Sequence, residues 1–138
     1  MLCLRDPVEV ARSLTALHGT DEETGARLWL AYMISACRAD PARLVIRYDE
    51  FFDDHEAAAR RIATFLGLPE PAPATLEDIG LFIEWRLRHH RVAAIGGRAS
   101  SEWMALARSL YRVLATAPGE AGPLVDILHR QMLAAPEF

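Results

Sequence analysis

Apolar and polar positions fall in blocks along this chain that predict strand, helix, helix, strand, and then helices to the end. Met1 to Leu4 is a continuous apolar run, the pattern of a strand buried on both faces. Arg5, Asp6 and Pro7 interrupt it. Asp6 suits a helix N-cap, Pro7 the first helical position, and Glu9 the third place of a capping box. Val10, Leu14 and Leu17 recur at i, i+4 and i+7 as the expected core stripe of that helix, with His18 and Gly19 as its stop. Thr20 with Glu23 predicts the cap of a second helix. From Leu28 to Cys37 this helix is apolar on nearly every side, which places Trp29 and Tyr32 in the core rather than against a ligand. Asp40 and Pro41 end it. Leu44 to Tyr48 is apolar and β-branched, and reads as a second buried strand.

Farther on, Asp53 or Asp54 caps a helix that runs through Ala58, Ile62 and Phe65 to Leu66, with Gly67 as its stop. Prolines at positions 69, 71 and 73 make residues 69–75 a Pro-rich internal linker, after which Thr75 or Asp78 starts a short helical turn. Arg86 to Arg91 is the most basic stretch, and Gly96, Gly97 and Arg98 form a turn. Trp103, Leu106, Leu110 and Val113 are spaced as a helix starting at Ser101; Pro118 and Gly119 break it. A last amphipathic helix carries Leu124, Ile127, Leu128 and Met132 on one side. A strand, two helices and a second strand fit crossovers in a parallel sheet. The expectation is therefore an α/β chain, one domain over residues 1–138, helix-rich with about two parallel strands.

Composition narrows the function. A chain of 138 residues, 51% hydrophobic, is large enough for one real core. Its formal charge of −4 argues against general nucleic-acid binding, so any anion site must be a local basic cluster. Cys3 and Cys37 have neither pairing nor metal spacing. Both lie in apolar runs and read as buried free thiols, which suits a reducing cytoplasm. No apolar run is long enough for a membrane span, and the N-terminus lacks the pattern of a signal peptide. His89 and His90 are adjacent and diverge on a helix, so they do not form a metal site.

The candidate chemistry sits at the first turn. Arg5 falls at the carboxyl end of a strand beside a helix N-terminus, the place where open α/β sheets bind ligands and anions. Ser13 lies eight residues on, roughly 9–10 Å along a helix at ~1.5 Å per residue. Its hydroxyl and the Arg5 fork would supply one neutral and one charged set of donors to a single phosphate. The plainer alternative is a local ion pair at Arg5 and a surface hydroxyl at Ser13. Tyr48, Asp49 and Glu50 are expected on the same sheet edge.

RDPVEVARSL (residues 5–14) resembles the 3′-phosphate-binding segment of the sulfotransferases that use 3′-phosphoadenosine 5′-phosphosulfate (PAPS). LWLAYM at 28–33, LVIRYDEFFDDHEAAARRIATFLGLP at 44–69 and LFIEWRLRHHR at 81–91 are similar to the carboxyl-terminal part of bacterial members. The resemblance implies a P-loop NTPase-like sulfotransferase fold, of which this chain is a helix-rich carboxyl-terminal portion. It implies contacts from Arg5 and Ser13 to the 3′-phosphate of PAPS or adenosine 3′,5′-bisphosphate, and Tyr48 beside the adenine. It also implies sulfuryl transfer to a hydroxyl or amine of a small-molecule, glycan or lipid acceptor. The family's Gly-rich 5′-phosphosulfate loop and its catalytic histidine precede this segment and match no position here. A Met followed directly by strand residues suggests a late start within a longer gene. The competing expectation is a non-catalytic helical interaction module, with a second copy of the chain as partner; a nucleotide kinase would need the same missing loop.

Overall fold

A computed structural model describes residues 1–40, 43–83 and 101–135. Its elements are β1 (Leu2–Leu4), α1 (Pro7–His18), α2 (Glu22–Ala39), β2 (Val45–Arg47), α3 (Glu50–Asp53), α4 (His55–Phe65), α5 (Pro73–Phe82), α6 (Glu102–Thr116) and α7 (Gly122–Ala134). The strands are parallel neighbours, with Leu2 opposite Val45, Cys3 opposite Ile46 and Leu4 opposite Arg47. α1 and α2 form the crossover between them. The chain is thus of the α/β class, with helix predominating.

One face of the little sheet meets the core. Leu2, Leu4 and Val45 join Val8 and Ala11 of α1, Ala26, Trp29, Leu30, Ile34 and Cys37 of α2, Met104 to Leu114 of α6, and Val125 and Leu128 of α7. Ile46 is buried outside this cluster, on the opposite face, as strand alternation requires. Cys3, its register partner on that face, is exposed. The expectation that β1 is buried on both faces, and that both thiols are buried, therefore holds for Cys37 and fails for Cys3.

Local chemistry sets the helix ends. Asp6 caps α1, its Oδ1 accepting from the Val8 N–H at 2.8 Å, and Gly19 ends the helix in the left-handed region at φ 68°. The cap of α2 is Asp21, one residue past the expected Thr20. Its carboxylate takes both the Thr24 N–H at 2.8 Å and the Thr24 hydroxyl at 2.7 Å, a pair of bonds that Thr20 cannot match. Asp54 caps α4 and Ser101 caps α6 as expected. α5 begins at Pro73, where proline costs no hydrogen bond, so helix takes the last three residues of the 69–75 linker.

The buried stripes are rotated from those expected. On α1 the core face is Val8 and Ala11, while Leu17 is exposed and Val10 and Leu14 are half-buried. Small Ala11 lets α2 approach closely at Gly25. On α6 the buried set is Met104, Ala107, Leu110 and Leu114, with Trp103, Leu106 and Val113 on its flanks. On α2, Trp29 is buried but Tyr32 is 70% exposed. The basic stretch at 86–91 and the glycine turn at 96–98 lie outside the described residues.

Candidate functional site

Parallel pairing brings the ends of β1 and β2 to one edge. The Tyr48 N–H donates to the Leu4 carbonyl at 2.7 Å, which extends the ladder by one bond and sets Tyr48 next to Arg5. The Arg5 guanidinium carbon lies 4.6 Å from the centre of the Tyr48 ring, within cation–π range. Phe52 meets the same ring edge-on, with centroids 5.1 Å apart. Arg5 is also held through its backbone, because the Trp29 indole Nε1–H donates to its carbonyl at 3.0 Å.

The guanidinium has an ionic partner within the same turn. Arg5 Nε donates to Glu9 Oε2 at 3.3 Å. The local ion pair posed as the alternative for Arg5 is therefore present. Ser13 follows Glu9 by four residues on α1, on the same face and one turn farther from the sheet edge. Glu9 thus lies between Arg5 and Ser13 along the helix. Of the three residues singled out from the sequence, the structure joins Arg5 and Tyr48 directly; Ser13, half-buried, stands beyond Glu9.

Several neighbours were not legible in the sequence. Tyr111 of α6 reaches this edge. Burial pushes its hydroxyl up from its ordinary pKa, the nearby carboxylates of Asp6, Asp49 and Glu9 add to the rise, and Arg47 opposes it. Tyr111 therefore stays a protonated donor through neutral pH. Glu50, expected at this edge with Tyr48 and Asp49, accepts from the Arg47 N–H at 3.0 Å and holds the Arg61 guanidinium of α4, a partner that the sequence did not indicate. Arg61 Nη2 also donates to the Val45 carbonyl at 3.0 Å, tying α4 to the strand. The signal for Glu9 was present as a charge opposite to that of Arg5 four residues away. For Trp29 and Tyr111 no spacing rule points to the sheet edge.

Beside this edge, between β1, α1 and α2, lies an apolar cavity of about 390 Å³ lined by Cys3, Arg5, Val10, Leu14, Leu28 and Tyr32, among others. Partial burial here raises the Cys3 thiol pKa, and the positive charge of Arg5 pulls it back in part. Among the described residues, no group of His, Cys, Asp and Glu side chains is placed to hold a metal ion. No described helix is long and apolar enough to cross a membrane.

The groups that the structure brings together here are the Arg5 guanidinium and the Tyr48 ring beneath it, with Glu9 paired to the guanidinium. The carboxylates of Asp6, Glu9 and Asp49 weigh against a strong anion field. No known protein family, characterised protein or solved structure matches this chain.

Proposed function

We propose that this chain is the 3′-phosphate-binding portion of a PAPS-dependent sulfotransferase-type fold. In this reading Arg5 and Ser13 hold the 3′-phosphate and Tyr48 lies beside the adenine. Joined to a phosphosulfate loop and a base, the assembly would transfer the sulfuryl group of the PAPS phosphosulfate anhydride to an acceptor hydroxyl or amine: the S–O bond to the 5′-phosphate breaks, adenosine 3′,5′-bisphosphate leaves, and the acceptor's proton goes to the base. The observation that carries the reading is the meeting of Arg5 and Tyr48 at the carboxyl edge of two parallel strands, with the guanidinium 4.6 Å from the ring centre. A cation stacked on an aromatic ring puts a charge for a phosphate next to a flat apolar group for a purine. Sheet edges of this kind are where open α/β folds place such ligands.

Titration calorimetry with adenosine 3′,5′-bisphosphate tests it, with 5′-AMP and Arg5→Ala as controls. A hydrogen bond to a charged group is worth roughly 1.5–3 kcal/mol, so Arg5→Ala should weaken binding by about 10–100-fold. Binding indifferent to the 3′-phosphate, or to Arg5, would end the reading. The second reading, an interaction module, draws on the exposed apolar side chains of α5, where Leu81 and Phe82 are 83% and 87% exposed. It predicts self-association in sedimentation together with no nucleotide binding.

A further inference from the structure

Glu9 is the charged side chain that the described core buries, with 7% of its surface exposed. A buried carboxylate is costly unless it is paired. It pairs with the one cation that the proposed nucleotide site depends on, Arg5, at 3.3 Å. Resting on the reading of Arg5 as a phosphate ligand, we propose that Glu9 is a built-in competitor for the Arg5 guanidinium and sets how tightly this site holds a phosphomonoester.

Geometry makes the two anions neighbours. A guanidinium is only a few ångströms across, so an oxyanion held at Nη1 or Nη2 lies within roughly 6 Å of a carboxylate bound at Nε. Ser13 stands one helical turn past Glu9 on the same face. A phosphate bridging Arg5 and Ser13 must therefore pass over the Glu9 carboxylate. The pair is mostly shielded, with side-chain exposures of 24% for Arg5 and 10% for Glu9, so solvent and salt screen the repulsion less than at an open surface.

The opposing role for Glu9 is to position Arg5. That work is already done by two other groups. The Trp29 indole fixes the Arg5 carbonyl at 3.0 Å, and the Tyr48 ring supports the guanidinium. Removing the Glu9 charge leaves both in place, so relief of repulsion outweighs loss of positioning. Glu9 is then a specificity residue. It penalises every anion at Arg5, and only a ligand with a phosphate on this spot and further contacts elsewhere overcomes it.

The test is calorimetric titration of the wild-type chain, Glu9→Gln, Glu9→Met and Arg5→Ala with adenosine 3′,5′-bisphosphate and with 5′-AMP. Circular dichroism confirms that each variant is folded. Glu9→Met fills the space without charge and carries the test if the amide disturbs packing. Glu9→Gln should bind the bisphosphate about tenfold tighter, equivalent to ~1.4 kcal/mol, with 5′-AMP unchanged. Equal or weaker binding by folded variants, beside wild-type binding that needs Arg5, overturns the competitor role and leaves the nucleotide reading standing. An equal gain for 5′-AMP overturns the placement of the phosphate at Arg5. Silence from wild type and both Glu9 variants overturns both readings together.

Discussion

The two thiols stand in opposite surroundings. Cys37 is enclosed by the core of α2, where burial raises its pKa despite Arg43 nearby. Cys3 faces outward on β1, yet the wall of the apolar cavity desolvates its sulfur and raises its pKa too. Exposure of the residue and desolvation of the atom are compatible, because one side of the side chain meets solvent and the other meets apolar groups. A disulfide reagent should therefore titrate one thiol in the folded chain and the second only after denaturation. Reaction goes through the thiolate. With its pKa raised, Cys3 should react more slowly at neutral pH than an unstructured cysteine, and the two rates should converge as pH climbs past the usual thiol range. Cys3→Ser should abolish the fast phase. Two fast thiols, or a Cys3 faster than the free amino acid at pH 7, would contradict this environment. The sequence showed an apolar run around Cys3; which face each member takes depends on what covers the sheet.

At the level of the element, the close crossing of α1 and α2 rests on a missing side chain. A Cβ built on Gly25 would lie 2.8 Å from both the Cα and the Cβ of Ala11. Backbone cannot swing aside, so Gly25→Ala must part the two helices. Helix propensity favours the substitution by about 1 kcal/mol, whereas overpacking costs roughly 1–3 kcal/mol. Since the clash involves backbone, steric cost should win, and a net loss of stability of about 1 kcal/mol or more is expected in chemical denaturation. Ala11→Gly should restore part of it in the double variant. A neutral or stabilised Gly25→Ala would show that the helices have room to slide. Most of the element plan was readable in advance: both strands, the Asp6, Asp54 and Ser101 caps, and the Gly19 and Gly67 stops come from local rules that act within a few residues. The buried faces of α1 and α6 were not. Periodicity marks a stripe of Val10, Leu14 and Leu17, but the face turned to the core is that of Val8 and Ala11, where small Ala11 meets Gly25 of α2. The same limit applied to the site. Arg5 and Tyr48 could be assigned to strand ends by pattern, while the direct contact between them depends on a strand pairing that no local rule specifies.

Among the described residues, one large apolar cluster holds most of the buried side chains, and Ile46 and a few residues of α4 and α5 are buried outside it. β1, β2, α1, α2, α6 and α7 share the cluster. α4 and α5 bury Ala58, Ala63 and Leu76 apart from it, and leave Phe65, Leu66, Leu81 and Phe82 exposed. Much of what ties α4 to the sheet is polar: Arg61 to the Val45 carbonyl and to Glu50, which also holds Arg47. Exposed ion pairs of this type contribute about 0–1 kcal/mol each. Small side chains bury little area, and ordering two helices costs conformational entropy, so this pair should open before the cluster does. Hydrogen exchange followed by mass spectrometry should find amides of α4 and α5 least protected among the longer helices, and those of α1, α2 and α6 most protected. Leu110→Ala, at the centre of the cluster, should cost about 2–5 kcal/mol and speed exchange everywhere. Leu76→Ala should speed exchange in α4 and α5 while leaving α1, α2 and α6 near their original rates. Uniform protection, or a Leu76→Ala effect that spreads to α1, would mean that the α4–α5 pair and the cluster unfold as one. The division bears on the candidate site as well. Arg5, Glu9 and Ser13 belong to the protected group, whereas the Tyr48–Phe52 side of the edge leads into α3 and α4. Nucleotide binding across that edge would tie α4 to the cluster, so a ligand that engages both Arg5 and Tyr48 should raise protection in α4 more than in α1.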